Sequence, residues 1–412
     1  MEDIINKIVE SMSDEIVGFL QNLIQIPSEN PPGNYEEISI FLQNELNLLG
    51  FETKVVNVPE EETHKAKLTT PRQNVIAIMK GEGGGKNLIF NSHIDTVPIG
   101  NADLWTFPPF SGTIADGKIY GRGATDSKGR LAAYIMAAVA LKRSGISLKG
   151  DIIIAATCDE ETGGVLGAGY VTKQNLVSGD MVVVEGYSNH IVRAMAGVLQ
   201  LRIKSTGVPA HAAFKWKGKN AVEKMAKVIL GLTDLQKQLE NEPSEIEGMR
   251  YTTVNVGMIN GGTKVNVVPG SCEIEVDFRV IPEHPLVEIY NRVTTMIEKL
   301  QLEDPEMDIQ VERLPDFQTN PTVTEENSSL IKELQSAIKE VTGRTLPVVG
   351  MLGQSDTRWF IEQGIPGINF GPGTSDNNLH SYDEFMEIED LIQTTKILAV
   401  LAKNYCVAKQ FV

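Results

Sequence analysis

Apolar runs along the first part of the chain stop, one after another, at residues able to hold a metal ion. Asn87-Leu88-Ile89-Phe90 leads into His93-Ile94-Asp95, Ile152-Ile153-Ile154-Ala155-Ala156 into Asp159-Glu160-Glu161, and Met181-Val182-Val183-Val184 into Glu185. Continuous apolar runs of this length predict parallel strands covered on both faces, with a helix over Lys128 to Arg143 between two of them. Ile365-Pro366-Gly367-Ile368-Asn369-Phe370 runs into Gly371-Pro372-Gly373, seven residues before His380. Loops at such strand ends carry the active sites of α/β domains.

The pattern changes at Val198. Leu199, Leu201 and Ile203 face one way and Gln200, Arg202 and Lys204 the other, the alternation of a strand with one wet face. A helix is predicted from about Asn220 to Leu239, then strands over Thr252–Met258 and Ser271–Arg279, a helix near Pro285 to Leu300, and a strand near Met307 to Arg313. Two helices among about four strands make a small α+β sandwich. The division read from this change is a first domain over 1–197 and 314–412 with a second, 198–313, inserted in it. Glu60-Glu61-Glu62 and Gly83-Gly84-Gly85 read as exposed loops.

Length and composition narrow the class. A chain of 412 residues is long for one core. With 54 acidic against 37 basic residues the net charge is −17, which argues against nucleic acid and anionic membranes as partners. No apolar run is long enough to span a bilayer, and the amino terminus reads as an acidic amphipathic helix. Three scattered cysteines, Cys158, Cys272 and Cys406, suit a reduced compartment, so the expected location is the cytoplasm.

His93, Asp126, Glu161, Glu185 and His380 form the candidate metal set. Three carboxylates against two divalent cations balance once a bridging hydroxide is added, so the set suits two ions rather than one. Imidazole and carboxylate donors without thiolate suit zinc, and cobalt or manganese as well. Asp95, two residues after His93, is placed to accept the other ring N–H of His93. Glu160 is then left as a carboxylate beside the site, a natural general base.

Three segments carry a family resemblance: Ser92-His93-Ile94-Asp95-Thr96-Val97-Pro98, Tyr120-Gly121-Arg122-Gly123-Ala124-Thr125-Asp126-Ser127-Lys128-Gly129, and Thr157-Cys158-Asp159-Glu160-Glu161-Thr162-Gly163-Gly164. Together they resemble the signatures of the acetylornithine deacetylase and succinyl-diaminopimelate desuccinylase family of metallopeptidases. The resemblance extends from Ile26-Pro27-Ser28-Glu29-Asn30-Pro31-Pro32-Gly33 to His380. It implies a zinc-exopeptidase-like catalytic domain, with a mixed, mostly parallel sheet and helices on both faces, and an inserted α+β domain that acts as a lid and pairs subunits. It further implies His93 and His380 as terminal ligands on different metals, Asp126 as the bridge, Glu160 as the base, and a cis peptide bond after Asp126.

In the inserted domain, His211 lies in Gly207-Val208-Pro209-Ala210-His211, which resembles the family's lid histidine region. The resemblance implies that His211 stabilises the oxyanion, in some relatives from the neighbouring subunit of a homodimer. Phe214-Lys215-Trp216-Lys217 departs from the family where a proline is common. Asn266 and Arg279 match residues that hold the substrate carboxylate; their plain reading is a capping amide and a surface ion pair. Backbone N–H groups of Gly371, Gly373 and Thr374 are the remaining candidates for that task. The expected reaction is deacylation of an N-acyl amino acid in amino-acid biosynthesis, with a metallo-dipeptidase or carboxypeptidase and an N-formyl pyrimidine deformylase as alternatives. A metal-free binding relative is the remote one, and it would have lost a member of the set, whereas all are present.

Overall fold

The structure, a computed structural model, describes residues 2–407, without the side chains of residues 2, 3 and 315–317. Two compact units emerge: one runs to Arg193 and resumes over Thr324–Val348 and from Ser355 onward, the other comprises Ala194–Val323 and Val349–Gln354. The second unit thus starts four residues before and ends ten residues after the 198–313 read from the pattern. Its last long strand, Asp308–Thr319, continues past Arg313 through a register shift to pair Gln318 with Leu199 and Thr319 with Val198. The irregularity interrupts the alternation that would have announced the rest of the strand.

The first unit is built on a mixed sheet in the order Glu52–Asn57, Gln73–Met79, Ile152–Thr157, Leu88–His93, Met181–Val184, Gly367–Asn369 and Ile191–Met195. Leu88–His93 runs parallel to both neighbours, and Gly367–Asn369 runs parallel to Met181–Val184. The outer pairings are antiparallel. Successive side chains of the central strands enter different cores: Phe90, Ile152 and Ile154 one, Ile89, Ile153 and Ala155 the other. Burial on both faces is why these strands read as unbroken apolar runs. The helix Lys128–Ser144 is buried on every side from Lys128 to Leu141 and packs against Ile388–Val407. It ends at Gly145 in the left-handed region, φ 68°.

Glu60-Glu61-Glu62 is not loop but the first turn of a short helix, Glu60–Lys65. Its charge run hid it, yet acidic side chains at a helix start oppose the positive end of the peptide dipoles. Among the described residues no helix is long and apolar enough to cross a membrane.

The second unit holds a fully antiparallel sheet in the order Thr253–Gly261, Ser271–Val280, Gly197–Thr206, Asp308–Thr319. Leu199, Leu201, Ile203, Ile274, Val276 and Phe278 point into a core closed by the helices Ala221–Leu239 and Leu286–Glu303. The opposite face is polar: Arg202 pairs with Glu275 at 2.8 Å, and Gln200 donates to Asp277 at 2.9 Å. Asn220 caps the first helix, its side chain accepting from the N–H groups of Val222 and Glu223.

Candidate metal centre

Every expected ligand but Asp126 follows one of the parallel strands, at the same edge of the sheet. His93 ends Leu88–His93, Glu161 lies in the turn after Ile152–Thr157, Glu185 directly follows Met181–Val184, and His380 comes after Gly367–Asn369. Asp126 comes from the loop ahead of the helix Lys128–Ser144, and the Asp126–Ser127 peptide bond is cis.

Asp126 is the centre of the cluster. Its Oδ1 stands 3.3 Å from His93 Nε2, and its Oδ2 stands 3.3 Å from His380 Nε2. Glu161 Oε1 lies 3.4 Å from the same His380 nitrogen, and Asp126, Glu161 and His380 present ligand atoms within 4.8 Å of one another. Glu185 is buried, and neither carboxylate oxygen accepts a hydrogen bond among the described residues. Burial pushes its carboxyl up to about 7, opposed by the charges of His93 and Arg130. An orphaned buried carboxylate is costly unless a cation meets it, and the donors present fit divalent metal ions. The cluster's demand for positive charge shows in His380, whose hydrogen bonds to Asp126 and then Glu161 raise it to about 10.

Asp95 acts differently from the sequence expectation. His93 Nδ1 is 2.9 Å from the backbone carbonyl of Asp95, while the carboxylate is 3.6 Å away. The carboxylate instead accepts from the N–H groups of Glu160 and Glu161, both at 3.2 Å, and from Asn30 at 3.2 Å. It therefore holds the turn carrying Glu160 and Glu161, and the chain's own carbonyl fixes the His93 tautomer.

Further buried polar residues brace these loops. Glu384 accepts from the N–H groups of Gly123, Thr125 and Asp126 and pairs with Arg122 at 2.8 Å, so one buried carboxylate shapes the loop that presents Asp126. Asp159, in the left-handed region at φ 63°, accepts from Asn30, Tyr35 and Arg72 Nε. Gly164 closes this turn against Asp356, leaving a side chain there no room, since a Cβ would lie 2.2 Å from Asp356 Oδ1. Replacing Arg72 by methionine strands the buried Asp159 carboxylate and is expected to cost about 3–5 kcal/mol, read by urea denaturation. A loss under about 1 kcal/mol would show that Asp159 finds its counter-charge elsewhere. Arg130 joins them: its Nη1 donates to Asp126 Oδ1 at 2.8 Å.

In the second unit, His211 and Asn266 come together. Ala210–His211 pairs antiparallel with Val267–Val268, and the Ala212 N–H donates to the Asn266 carbonyl. His211 Nδ1 accepts from the Ala213 N–H at 3.1 Å, so its neutral ring carries the proton on Nε2, ready to donate. Arg279 lies on the strand Ser271–Val280 and forms an ion pair with Asp277 at 2.9 Å, the plainer of the two readings. The expected role of Gly373 fails on geometry, because its N–H already donates to Asp390 Oδ2 at 2.6 Å. Gly371 is needed for a different reason: a Cβ there would meet Arg130, Gly186 and Tyr134 within 3.3 Å.

Comparison with known proteins gives this geometry its family. The chain is 32% identical to the succinyl-diaminopimelate desuccinylase of Pseudoalteromonas atlantica, over 76% of this chain and 82% of that protein. It is 27% identical to the N-formyl-4-amino-5-aminomethyl-2-methylpyrimidine deformylase of Halalkalibacterium halodurans, over 97% and 96%. The fold superposes on that of an M20 family metallo-carboxypeptidase from Sulfolobus solfataricus with a TM-score of 0.74, at 21% identity, covering 96% of this chain and all of the other. The sequence profile described as Peptidase family M20/M25/M40 matches residues 89–404, a span that contains every residue of the cluster, and the chain belongs to that family of metal-dependent hydrolases of amide bonds.

Proposed function

We propose that the protein removes the acyl group from an N-acyl amino acid, an acetylated or succinylated diamino acid foremost, with two zinc ions held by His93, Asp126, Glu161, Glu185 and His380. The observation that carries this reading is the Asp126 carboxylate, which turns one oxygen to each histidine. Bound there, divalent ions supply a Lewis acid for the amide carbonyl and a more acidic water.

The chain's own groups divide the remaining work. Glu160 takes the proton of the attacking water and returns it to the leaving amine. Burial raises its carboxyl well above the ordinary value, against the pull of His93 and with the charges of Asp356, Glu185 and Glu161. Asp95 keeps Glu160 and Glu161 aimed by holding their N–H groups. His211 offers its Nε2–H to the carbonyl oxygen as charge develops there. Arg279 and Asn266 take the substrate carboxylate; among the described residues the Arg279 guanidinium is engaged only through Nε, leaving its terminal donors for a bidentate contact. The similarity to the Pseudoalteromonas desuccinylase supports such a substrate.

Deformylation of an N-formylated aminopyrimidine is the second reading, favoured by the near-complete coverage of the Halalkalibacterium relative. It has no use for Arg279 as a carboxylate clamp. Chelation followed by dialysis is expected to abolish turnover, and zinc or cobalt to restore it. Liquid chromatography of acetyl- and succinyl-amino acids, dipeptides and formyl-aminopyrimidines then separates the readings. Free diamino acid supports the first, release of formate from the pyrimidine alone transfers the assignment to the second, and turnover that survives complete metal removal sinks both.

A homodimer through the second unit belongs to the same proposal. Its edge strand Thr253–Gly261 leaves Met258 and Ile259 63% and 61% exposed, an apolar edge of the kind that pairs with a second copy. A cytoplasmic setting accords with Cys158, Cys272 and Cys406, all buried and unpaired as disulfides.

A further inference from the structure

The family profile begins at residue 89, yet a segment far ahead of it reaches the turn that carries Glu160. Residues 26–30 lie along the chain that follows His93. Ser28 Oγ donates to the Ile94 carbonyl at 2.6 Å, the Thr96 N–H to the Ser28 carbonyl at 3.1 Å, and the Asn30 N–H to the Thr96 carbonyl at 2.8 Å. Lys128 Nζ, fully buried, ties the same segment to the start of the helix Lys128–Ser144 by donating to the Ile26 carbonyl at 2.7 Å. Asn30 is thereby delivered into the interior, 5% exposed.

The Asn30 amide nitrogen meets three acceptors: Asp159 Oδ1 and Thr162 Oγ1 at 3.1 Å, and Asp95 Oδ2 at 3.2 Å. Asp159 and Thr162 flank Glu160 and Glu161, so the amide holds the turn at both ends. Asp95 holds its middle: Oδ2 also accepts from the Glu161 N–H, and Oδ1 is left for the Glu160 N–H. Two carboxylates and a hydroxyl thus converge on one neutral NH2 group, which supplies two hydrogens and no charge. Arg72 already answers the charge of Asp159 at 2.6 Å, so what the position asks of Asn30 is direction. Without the amide, the link between Asp95 and both ends of the turn is lost.

We propose that Asn30 is a positioning residue for Glu160, an amide that locks the turn 159–162 against Asp95 and thereby sets where the Glu160 carboxylate stands. The inference rests on the reading of Glu160 as the base. Asn30 reaches Glu160 only through Asp95 and the two ends of the turn. A displacement of about 1 Å at a reacting group costs about 100-fold in rate, so a turn that drifts lowers turnover even where the substrate is held as before. The groups assigned to the substrate carboxylate, Asn266 and Arg279, belong to the second unit, and the amide makes no bond to them.

The test compares full-length Asn30→Ala, the nearly isosteric Asn30→Asp, Glu160→Gln, and Asn30→Ala combined with Glu160→Gln, all with zinc in excess. On the panel of acetyl- and succinyl-amino acids, dipeptides and formyl-aminopyrimidines, Asn30→Ala is expected to lower kcat by about 10- to 100-fold with KM within about threefold. Asn30→Asp, which offers no N–H and faces two carboxylates, should do no better. Beside Glu160→Gln the loss should vanish, because the amide acts through a base that is no longer there. Hydrogen exchange gives a readout that needs no substrate: the amides of residues 160 and 161 should exchange about tenfold or more faster in Asn30→Ala, while the strand Ile152–Thr157 keeps wild-type protection. Unchanged exchange at 160 and 161, wild-type kcat in Asn30→Asp, or an Asn30→Ala loss that persists in full beside Glu160→Gln overturns the proposal. Faster exchange throughout Ile152–Thr157 overturns it as well, since Asn30 would then hold the core and not the turn. Normal turnover in Glu160→Gln itself shows that the assignment of the base is wrong, and the inference falls with it.

Discussion

Glu160→Gln is expected to lower turnover by about 10²–10⁴-fold while the protein retains its normal complement of metal. Glutamine keeps the shape of the side chain but cannot take a proton from water. The adjacent turn keeps its hold on Asp95 through backbone N–H groups, which the substitution does not touch. Glu161→Gln makes the matched control: it removes a ligand charge from the trio with Asp126 and His380, so metal content falls along with activity. The informative pair of measurements is zinc per chain and kcat on the same preparations. Equal metal loss in both variants would take the role of base away from Glu160.

His211→Ala is expected to depress kcat by about 10²–10³-fold with a smaller change in KM, because a donor to a developing oxyanion acts mainly in the transition state. The tautomer supports this use, since the Ala213 N–H occupies Nδ1 and leaves the proton on Nε2. Mixing His211→Ala with Glu160→Gln subunits asks which chain supplies the histidine. If it crosses to a partner, each hybrid dimer regains about one working site. No recovery under conditions that exchange subunits assigns the histidine to its own chain, and a His211→Ala protein with normal kcat removes it from the reaction.

Much of the architecture was legible because it was written in contrast. Leu199, Leu201 and Ile203 announce their strand by alternating with Gln200, Arg202 and Lys204, and the structure turns those sets to opposite faces. Leu88 to Phe90 and Ile152 to Ala156 announce theirs by having no contrast at all, which only burial on both sides permits. His93, Glu161 and Glu185 could be picked out because they are polar residues at or just after the ends of such runs. Arg72, Asn30, Tyr35, Arg130 and Glu384 could not, because each is a polar side chain whose partner is chosen by the tertiary fold. Arg72 and Asp159 are 87 residues apart in sequence, and nothing local distinguishes that arginine from an exposed one. Asp95 shows the same limit on a smaller scale: the H-x-D spacing located it correctly near His93, but which of its oxygens meets the ring depends on backbone direction.

The bonds from Glu384 to the loop of Asp126 have a consequence for the order in which the enzyme is made. Donors at residues 123–126 and their acceptor are separated by 258 to 261 residues of chain. While a ribosome is still extending the polypeptide, the loop that presents Asp126 has neither its buried anion nor His380, which lies just upstream of Glu384. The nascent chain can pair its early strands long before Asp126, Glu161 and His380 can meet. A chain cut short ahead of His380 therefore carries most of the sheet and an incomplete cluster.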